Sequence, residues 1–373
     1  MTASGSQSLR ILHVIAPAPV GGAESVIQAL APEQAAMGDS VCIAAVVEAR
    51  DTAARRLFSP LREYPLRLEE IVVSARGYLR EARALEAVAR SHQPHVLHTH
   101  GYRSDLVAGL VGGWVGIPRV STIHGFTGGG HRGRFYERLQ RFMLRRFEAV
   151  VAVSPALVDE LVTAGIPASK LHFVRNAWRP KSARWERAEA RERLGIGRTG
   201  FHIGWVGRFS WEKGPDVAVR TLATANVGEM TLHFVGDGPM KATVLALADD
   251  LGVRERVRTH GLIHDAARFM SAFDVLLLTS RTEGTPMVIF EAMAAEVPVI
   301  ATAVGGVPDV VEGAGWLVPP DDPGATADVI RDVRDRPQEA RRRTTEARRR
   351  LDREFSTREW AQRYRTVYGS ALP

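Results

Sequence analysis

Short apolar runs rich in β-branched residues alternate along this chain with longer stretches in which apolar positions recur at helical spacing. The runs fall at residues 9–15, 41–47, 95–100, 119–123, 149–153 and 171–174. After an arginine-rich polar segment they resume at 202–206, 231–235, 257–260, 275–278, 299–301 and 315–318. Near-continuous apolar strands separated by helices are the signature of parallel βαβ units buried on both faces. The pattern predicts an α/β protein with two doubly wound, Rossmann-like parallel-sheet domains: 1–178, a linker at 179–199, then 200–355. Residues 356–373 read as a final helix, with Ser356 as its N-cap and Trp360, Tyr364, Val367 and Tyr368 at helical spacing. Either domain offers this helix a partner face, so packing back on the N-terminal domain is one of its two placements.

Length supports the division, since 373 residues exceed what one hydrophobic core usually serves. With 45% hydrophobic and 24% charged residues the chain has the composition of a folded enzyme and not of a disordered segment. One cysteine, Cys42, lies in an apolar run, which rules out an intrachain disulfide or a thiolate metal centre. Residues 9–15 resemble a short signal-peptide core, but a helical pattern follows Gly21-Gly22-Ala23-Glu24 directly, which favours a strand and a cytoplasmic protein. The stretch 106–118 is too short and glycine-rich to span a bilayer. A net charge of +7 admits nucleic acid, an anionic membrane or a phosphorylated substrate as partner. Four lysines against an arginine majority make that charge a habit of composition more than a binding signal.

In parallel sheets of this kind ligands bind beyond the carboxyl ends of the strands, where loops and helix N-termini converge. The distinctive residues sit there: Gly21-Gly22, 98–101 and His124-Gly125 in the first half, Gly207-Arg208, Gly236-Asp237-Gly238 and 280–283 in the second. Both sets are expected to face one interdomain cleft. Arg208 and Lys213 fall in a strand end, a loop and a helix start marked by Pro215, so two cations and a helix N-terminus converge as a diphosphate requires. Glu283 precedes a second helix start, at Gly284-Thr285-Pro286-Met287-Val288, and Glu291 lies inside that helix. A carboxylate there accepts hydrogen bonds from sugar hydroxyls while the first amides face phosphate. By spacing alone, two solvated glutamates would be the better explanation of the pair.

These pieces occur in a fixed order: Gly207-Arg208 with Lys213-Gly214, Val235-Gly236-Asp237-Gly238-Pro239, residues 280–291 with Ala292-Met293-Ala294, Pro298 to Thr302, and Gly305-Gly306-Val307-Pro308. In this order the second half resembles the nucleotide-binding domain of retaining GT-B glycosyltransferases of family 4. The first half resembles the same family more loosely, through Gly21-Gly22-Ala23-Glu24, His98-Thr99-His100-Gly101 and Thr122-Ile123-His124-Gly125. The resemblance implies a nucleoside-diphosphate sugar as donor and no cofactor. It implies that Arg208 and Lys213 hold the diphosphate, Glu283 the sugar hydroxyls, Glu291 the ribose, and the amides of Met287 and Val288 a phosphate. It further places Gly22 against phosphate by its backbone, His124 beside the transferred sugar, and Leu262 against the base, with Gly236, Gly284, Thr285 and Pro286 in the donor loops. The segment Asn176-Ala177-Trp178-Arg179 departs from the family's Asn-Gly-Val-Asp, so that loop carries no inference about the donor.

Stabilising a departing diphosphate while the anomeric carbon gains positive charge is within reach of two cations, and the family's retaining mechanism passes the acceptor proton to the leaving phosphate. No Asp-x-Asp stands at a strand end and Asp321-Asp322 reads as a turn, so a metal-independent enzyme is expected. His98, His100 and His124 form an incomplete zinc set without a carboxylate or cysteine. From His131 to Phe147, Phe135, Leu139, Phe142, Met143 and Phe147 share one helical face and Arg134, Arg138, Arg141 and Arg145 another. That pattern suits a core-packed helix with a solvated arginine face, or one docked on anionic lipid. The run 341–350 reads as a solvated arginine face. The expected activity is hexosyl transfer to a lipid-linked or glycan acceptor in envelope synthesis. The rival readings are a nonhydrolysing sugar-nucleotide epimerase and a basic nucleic-acid-binding protein, the latter without the interleaved aromatic and basic sheet motif that RNA recognition uses.

Overall fold

The computed structural model describes residues 8–17, 22–48, 59–74, 76–125, 130–179, 183–225, 229–263 and 265–373. The chain divides into two compact units, residues 1–177 with 357–373, and residues 178–356.

The first unit runs β1 (Arg10–Ile15), α1 (Gly22–Ala36), β2 (Ser40–Val47), β3 (Arg67–Val72), α2 (Tyr78–His92), β4 (Val96–His100), α3 (Tyr102–Val115), β5 (Arg119–Ile123), α4 (Gly130–Leu144), β6 (Ala149–Ala152), α5 (Pro155–Thr163) and β7 (Leu171–Phe173). Its strands form one parallel sheet in the order β3-β2-β1-β4-β5-β6-β7. The central strands are buried on both faces, which is why β2 reads as a nearly unbroken apolar run, while β1 and β4 bury His13, His98, Thr99 and His100 among their apolar residues. One face packs Ile11, Ile43 and Val120 under α1; the other packs Leu12, Val14 and Leu97 under α2 and α3. Strand β3 was not anticipated. It is an edge strand whose Glu69 and Glu70 break the apolar run, as edge strands commonly do to discourage further pairing. Cys42 is fully buried in β2, and burial pushes its thiol up to about 12, so it packs as a small apolar group.

The second unit runs α6 (Arg187–Leu194), β8 (Phe201–Val206), α7 (Pro215–Ala225), β9 (Met230–Val235), α8 (Lys241–Asp250), β10 (Val257–Thr259), β11 (Val275–Leu278), α9 (Met287–Ala294), β12 (Val299–Thr302), α10 (Val307–Val311), β13 (Trp316–Val318), α11 (Pro323–Asp335) and α12 (Pro337–Glu354). Its sheet order is β10-β9-β8-β11-β12-β13, again parallel throughout. Residues 183–199, expected within a linker, belong to this unit's body. The Ala190 side chain lies in its core, and Arg191 donates to the Ala272 carbonyl and to Asp274 Oδ2 at 2.8 and 2.9 Å. Polar composition made this segment read as a connector, because the carboxylate that neutralises Arg191 comes from a distant loop.

The last helix, α13 (Thr357–Ala371), returns to the first unit. Trp360, Tyr364, Val367 and Tyr368 are buried with Ile27 and Leu30 of α1. Arg365 Nη1 donates to Asp39 Oδ1 at 2.8 Å, an ion pair with both side chains almost fully buried. The chain enters and leaves the second unit at adjacent points, where the Trp178 amide donates to the Phe355 carbonyl at 3.2 Å.

Candidate active site

Strand order builds the site in the second unit. Because β8 lies beside β11, the loop after β8 meets the loop after β11, although they are some 70 residues apart in sequence. Lys213 ends a single 3₁₀ turn (Trp211–Lys213), and its Nζ donates to both oxygens of Glu283 at 2.7 and 2.8 Å. Ser280 Oγ adds a third hydrogen bond to Glu283 Oε1 at 2.6 Å. Glu283 keeps 6% of its side chain exposed against 29% for Lys213, so the carboxylate is the buried anchor and the ammonium the more accessible partner. The backbone beneath is held from β12's side. Gly306 N donates to the Gly284 carbonyl at 2.8 Å, and Gly305, at φ 53°, approaches so closely that a Cβ would fall 1.7 Å from the Glu283 carbonyl oxygen. Any side chain at 305 would displace the loop that carries Glu283.

Arg208 is paired separately. Its Nη2 donates to Glu212 Oε1 at 2.5 Å, and Ser210 Oγ donates to the same oxygen at 2.6 Å. Burial pushes the Glu212 carboxyl up, but the hydrogen bonds from Ser210 and Arg208 more than reverse it, leaving the group below its ordinary range. The expectation of two cations facing a helix start therefore changes: each cation has a local carboxylate, and what the pair offers an anion is the donor capacity left over. Arg281 ties the two loops together. It donates to both oxygens of Asp216 at 3.0 and 2.7 Å, to Asp321 Oδ1 at 2.8 Å and to the Trp211 carbonyl at 2.8 Å. Glu212, Ser280, Asp216 and Arg281 were not among the expected site residues. Glu212, four residues after Arg208, and Ser280, three before Glu283, lie within local reach of an expected residue, whereas Asp216 and Arg281 meet across a strand crossover.

Gly236 ends β9 next to β8, at φ 139°, and a Cβ there would fall 1.8 Å from the Gly207 carbonyl oxygen. Its amide donates to the Gly261 carbonyl at 2.7 Å, which brings the exposed Leu262 to the same rim. Helix α9 starts at Met287 directly after Pro286, with Thr285 buried and Gly284 held by the Gly306 contact. The first-turn amides of Met287 and Val288 have no acceptor within the helix, as at any helix start. Glu291 lies one turn in and is half-buried. Seven of the positions expected in donor loops, Arg208, Lys213, Gly236, Leu262, Glu283, Gly284 and Met287, thus stand at the carboxyl ends of β8 to β11.

The other two expected residues belong to the first unit. Gly22 opens α1, and Gly21 lies outside the described residues. His124 follows β5, half-buried, with Nε2 3.4 Å from His100 Nδ1, and burial lowers its imidazole to about 4. The suspected zinc set is also rearranged: the rings that crowd together are His13, His98 and His100. Helix α4 divides its apolar residues. Met143 and the following Phe147 are buried, whereas Phe135, Leu139 and Phe142 are 63%, 40% and 51% exposed. These three do not share the face that enters the core.

Two family profiles match the chain in succession, "Glycosyltransferase Family 4" over residues 20–180 and "Glycosyl transferases group 1" over residues 200–335. The chain belongs to the family 4 glycosyltransferases. It is 28% identical over 303 residues to the glycogen synthase of Mycobacterium tuberculosis, covering 76% of this chain and 70% of that protein. It is likewise 28% identical over 302 residues to the N-acetyl-alpha-D-glucosaminyl L-malate synthase of Bacillus anthracis, covering 78% of each. Its fold is that of Anabaena HepE in complex with UDP-glucose, with a TM-score of 0.85, 21% identity and coverage of 97% of this chain and 100% of that one. This glycosyltransferase is therefore an enzyme of GT-B fold that transfers a sugar from a sugar donor, and neither the epimerase nor the nucleic-acid reading is favoured. Among the described residues no helix is long and apolar enough to cross a membrane.

Proposed function

We propose that this glycosyltransferase moves a hexose-type sugar from a nucleoside-diphosphate sugar to an acceptor hydroxyl with retention at the anomeric carbon and without a metal ion. The observation that carries the proposal is the Lys213–Glu283 clamp facing the loop before α9. Two of the three Nζ donors of Lys213 are spent on Glu283, which aims the ammonium and leaves one donor for a phosphate oxygen. Arg208, 41% exposed beyond its bond to Glu212, supplies the second cationic donor, and the first amides of α9 complete the anion cradle. In the reaction the bond from anomeric carbon to diphosphate oxygen breaks and the bond to the acceptor oxygen forms. The acceptor's proton passes to the leaving phosphate, and the two cations stabilise the charge that develops there. In this reading Glu291 holds the ribose, the backbone beside Leu262 the base, Gly22 a phosphate through its amide, and His124 the sugar.

The acceptor is lipid-linked or a growing envelope glycan, reached from the cytoplasmic face of the membrane. Support comes from the exposed Phe135, Leu139 and Phe142 on α4, with Trp114 70% exposed on neighbouring α3 and Arg138 on the same helix. The test of the donor assignment is a thermal-shift panel of UDP-, GDP- and ADP-sugars with and without EDTA. One nucleotide sugar should raise Tm regardless of EDTA, and Arg208→Ala should lose the rise. An unchanged shift in that variant, or epimerisation of the donor without transfer, would sink the assignment.

A further inference from the structure

Four histidines of the first unit, three buried and His124 half-buried, form one hydrogen-bonded array, because β1, β4 and β5 are neighbours in the sheet and present His13, His98, His100 and Thr122 to the same face. Helices α1 and α13 close over that face and contribute Gln34, Tyr364 and Tyr368. The partners are specific. His13 Nε2 is 2.8 Å from Gln34 Oε1, His13 Nδ1 is 3.1 Å from His100 Nε2, and His100 Nδ1 is 3.4 Å from His124 Nε2. On the other branch Gln34 Nε2 donates to Tyr368 Oη at 2.9 Å. His98 Nδ1 lies 2.8 Å from Tyr368 Oη, and His98 Nε2 2.7 Å from Thr122 Oγ1.

The Gln34 amide oxygen fixes the direction of the protons from His13 to His124. An amide oxygen only accepts, so His13 must donate through Nε2, and a neutral ring then accepts at Nδ1. His100 must in turn donate through Nε2 to His13 and accept at Nδ1, so His124 must donate through Nε2. The rings are neutral because burial lowers His13 and His124 to about 4 and holds His98 and His100 well below the usual imidazole range. On the second branch Tyr368 Oη accepts from Gln34 and donates to His98 Nδ1, which leaves His98 Nε2–H to donate to Thr122.

We propose that the array Gln34–His13–His100–His124 is a tautomer relay that keeps the His124 proton on Nε2 and its Nδ1 lone pair available as an acceptor for a sugar hydroxyl, with Gln34 and Tyr368 as positioning residues. The use of Nδ1 on a sugar rests on the reading of His124 given above; the relay itself does not. Which nitrogen of a histidine carries the proton decides whether it can accept from a hydroxyl, and second partners routinely set that choice. A metal centre is the competing use, since ligand atoms of His13, His98 and His100 lie within 4.8 Å of one another. All six of their ring nitrogens are already hydrogen-bonded to side chains, so a cation would have to break bonds on each ring.

The test uses the full-length protein with ¹⁵N-labelled histidine and two-bond proton–nitrogen spectra, which distinguish a protonated ring nitrogen from a bare one. All four rings should show Nε2 protonated and Nδ1 bare. Gln34→Met should turn His13, His100 and His124 into tautomer mixtures and lower turnover on the order of tenfold at unchanged donor KM. Gln34→Glu, which offers His13 an acceptor oxygen in either protonation state, should restore both. Tyr368→Phe unpins the other end of the amide and should give the same mixture if Gln34→Met does not fold. A wild-type His124 protonated on Nδ1, spectra unchanged by Gln34→Met, or one equivalent of Zn²⁺ converting these signals to metal-bound ones would each overturn the relay. If His124→Ala kept full turnover, the sugar-facing reading would fail, and the spectra would still decide the relay.

Discussion

At the residue scale, Lys213 and Glu283 solvate each other in a place water reaches poorly, and the donor role proposed for them would couple stability to binding. Removing Lys213 strands a carboxylate that is 94% covered, with Ser280 the one side-chain donor left to it among the described residues. Lys213→Met should cost about 3 kcal/mol of stability by denaturant titration, as expected for one half of a buried pair. Adding Glu283→Gln, which removes the stranded charge but still accepts from Ser280, should recover most of that stability while donor binding stays lost. Recovery of binding in the double variant would show that Lys213 serves the fold and not the ligand. Asp105 is a second buried carboxyl, which takes hydrogen bonds from Thr99, from Ser121 at 2.7 Å and from Gln140 at 2.6 Å. Burial raises it to about 6 despite those three donors. The folded state thus holds this proton at pH values where the unfolded chain has released it, so the contribution of Asp105 to stability is greatest below about pH 4. It falls by about 3 kcal/mol as pH rises to about 6. Asp105→Asn should flatten that part of the stability–pH curve; an unaltered slope would assign it to other groups.

At the element scale, α4 does two tasks with two faces. Gln140, Met143 and Leu144 face inward, Gln140 reaching Asp105, while Phe135, Leu139 and Phe142 stand at helical spacing on the outside. The arginines are less free than their number implies, since Arg141 pairs with Glu160, Arg145 caps the Ala164 carbonyl, and Arg146 lies over the Phe142 ring at 4.3 Å. If α4 docks on a membrane as proposed, apolar insertion should therefore contribute more than charge. Co-sedimentation with vesicles containing phosphatidylglycerol should drop at least several-fold in Phe135→Ser/Phe142→Ser, with only a modest loss in raised salt. Binding abolished by salt and untouched by the double variant would reverse that order. The periodicity of this helix was legible in the sequence, but the five apolar residues placed on one face divide into a buried and an exposed set. Helical spacing alone does not mark which side of a wide apolar stripe the neighbouring helix will cover.

At the scale of the whole molecule, the chain crosses to its second unit and returns, so the first unit is complete only when its last 17 residues are made. Truncation after Ser356 would uncover Ile27 and Leu30 and break the Arg365–Asp39 pair. Calorimetry of such a truncated protein should show the unfolding transition of the second unit and lose or sharply lower that of the first, whereas retention of both would mean that α13 is a dispensable cover. By itself the sequence determined the local elements and their order: alternating apolar runs and helical stretches identified twelve of the strands. The carboxyl-end rule then placed Arg208, Lys213, Gly236, Glu283 and His124 in loops, because both depend on chain-local periodicity and on the handedness of βαβ units. Tertiary structure alone decided who meets whom. That Lys213 closes on Glu283, that Gly305 seats the Glu283 loop and that His13 joins His98 and His100 follow from strand order, and that Gln34 and Tyr368 reach the histidines follows from the two helices that close over the sheet. Strand order is set by crossovers that join residues tens to hundreds of positions apart, and no local pattern records those distances.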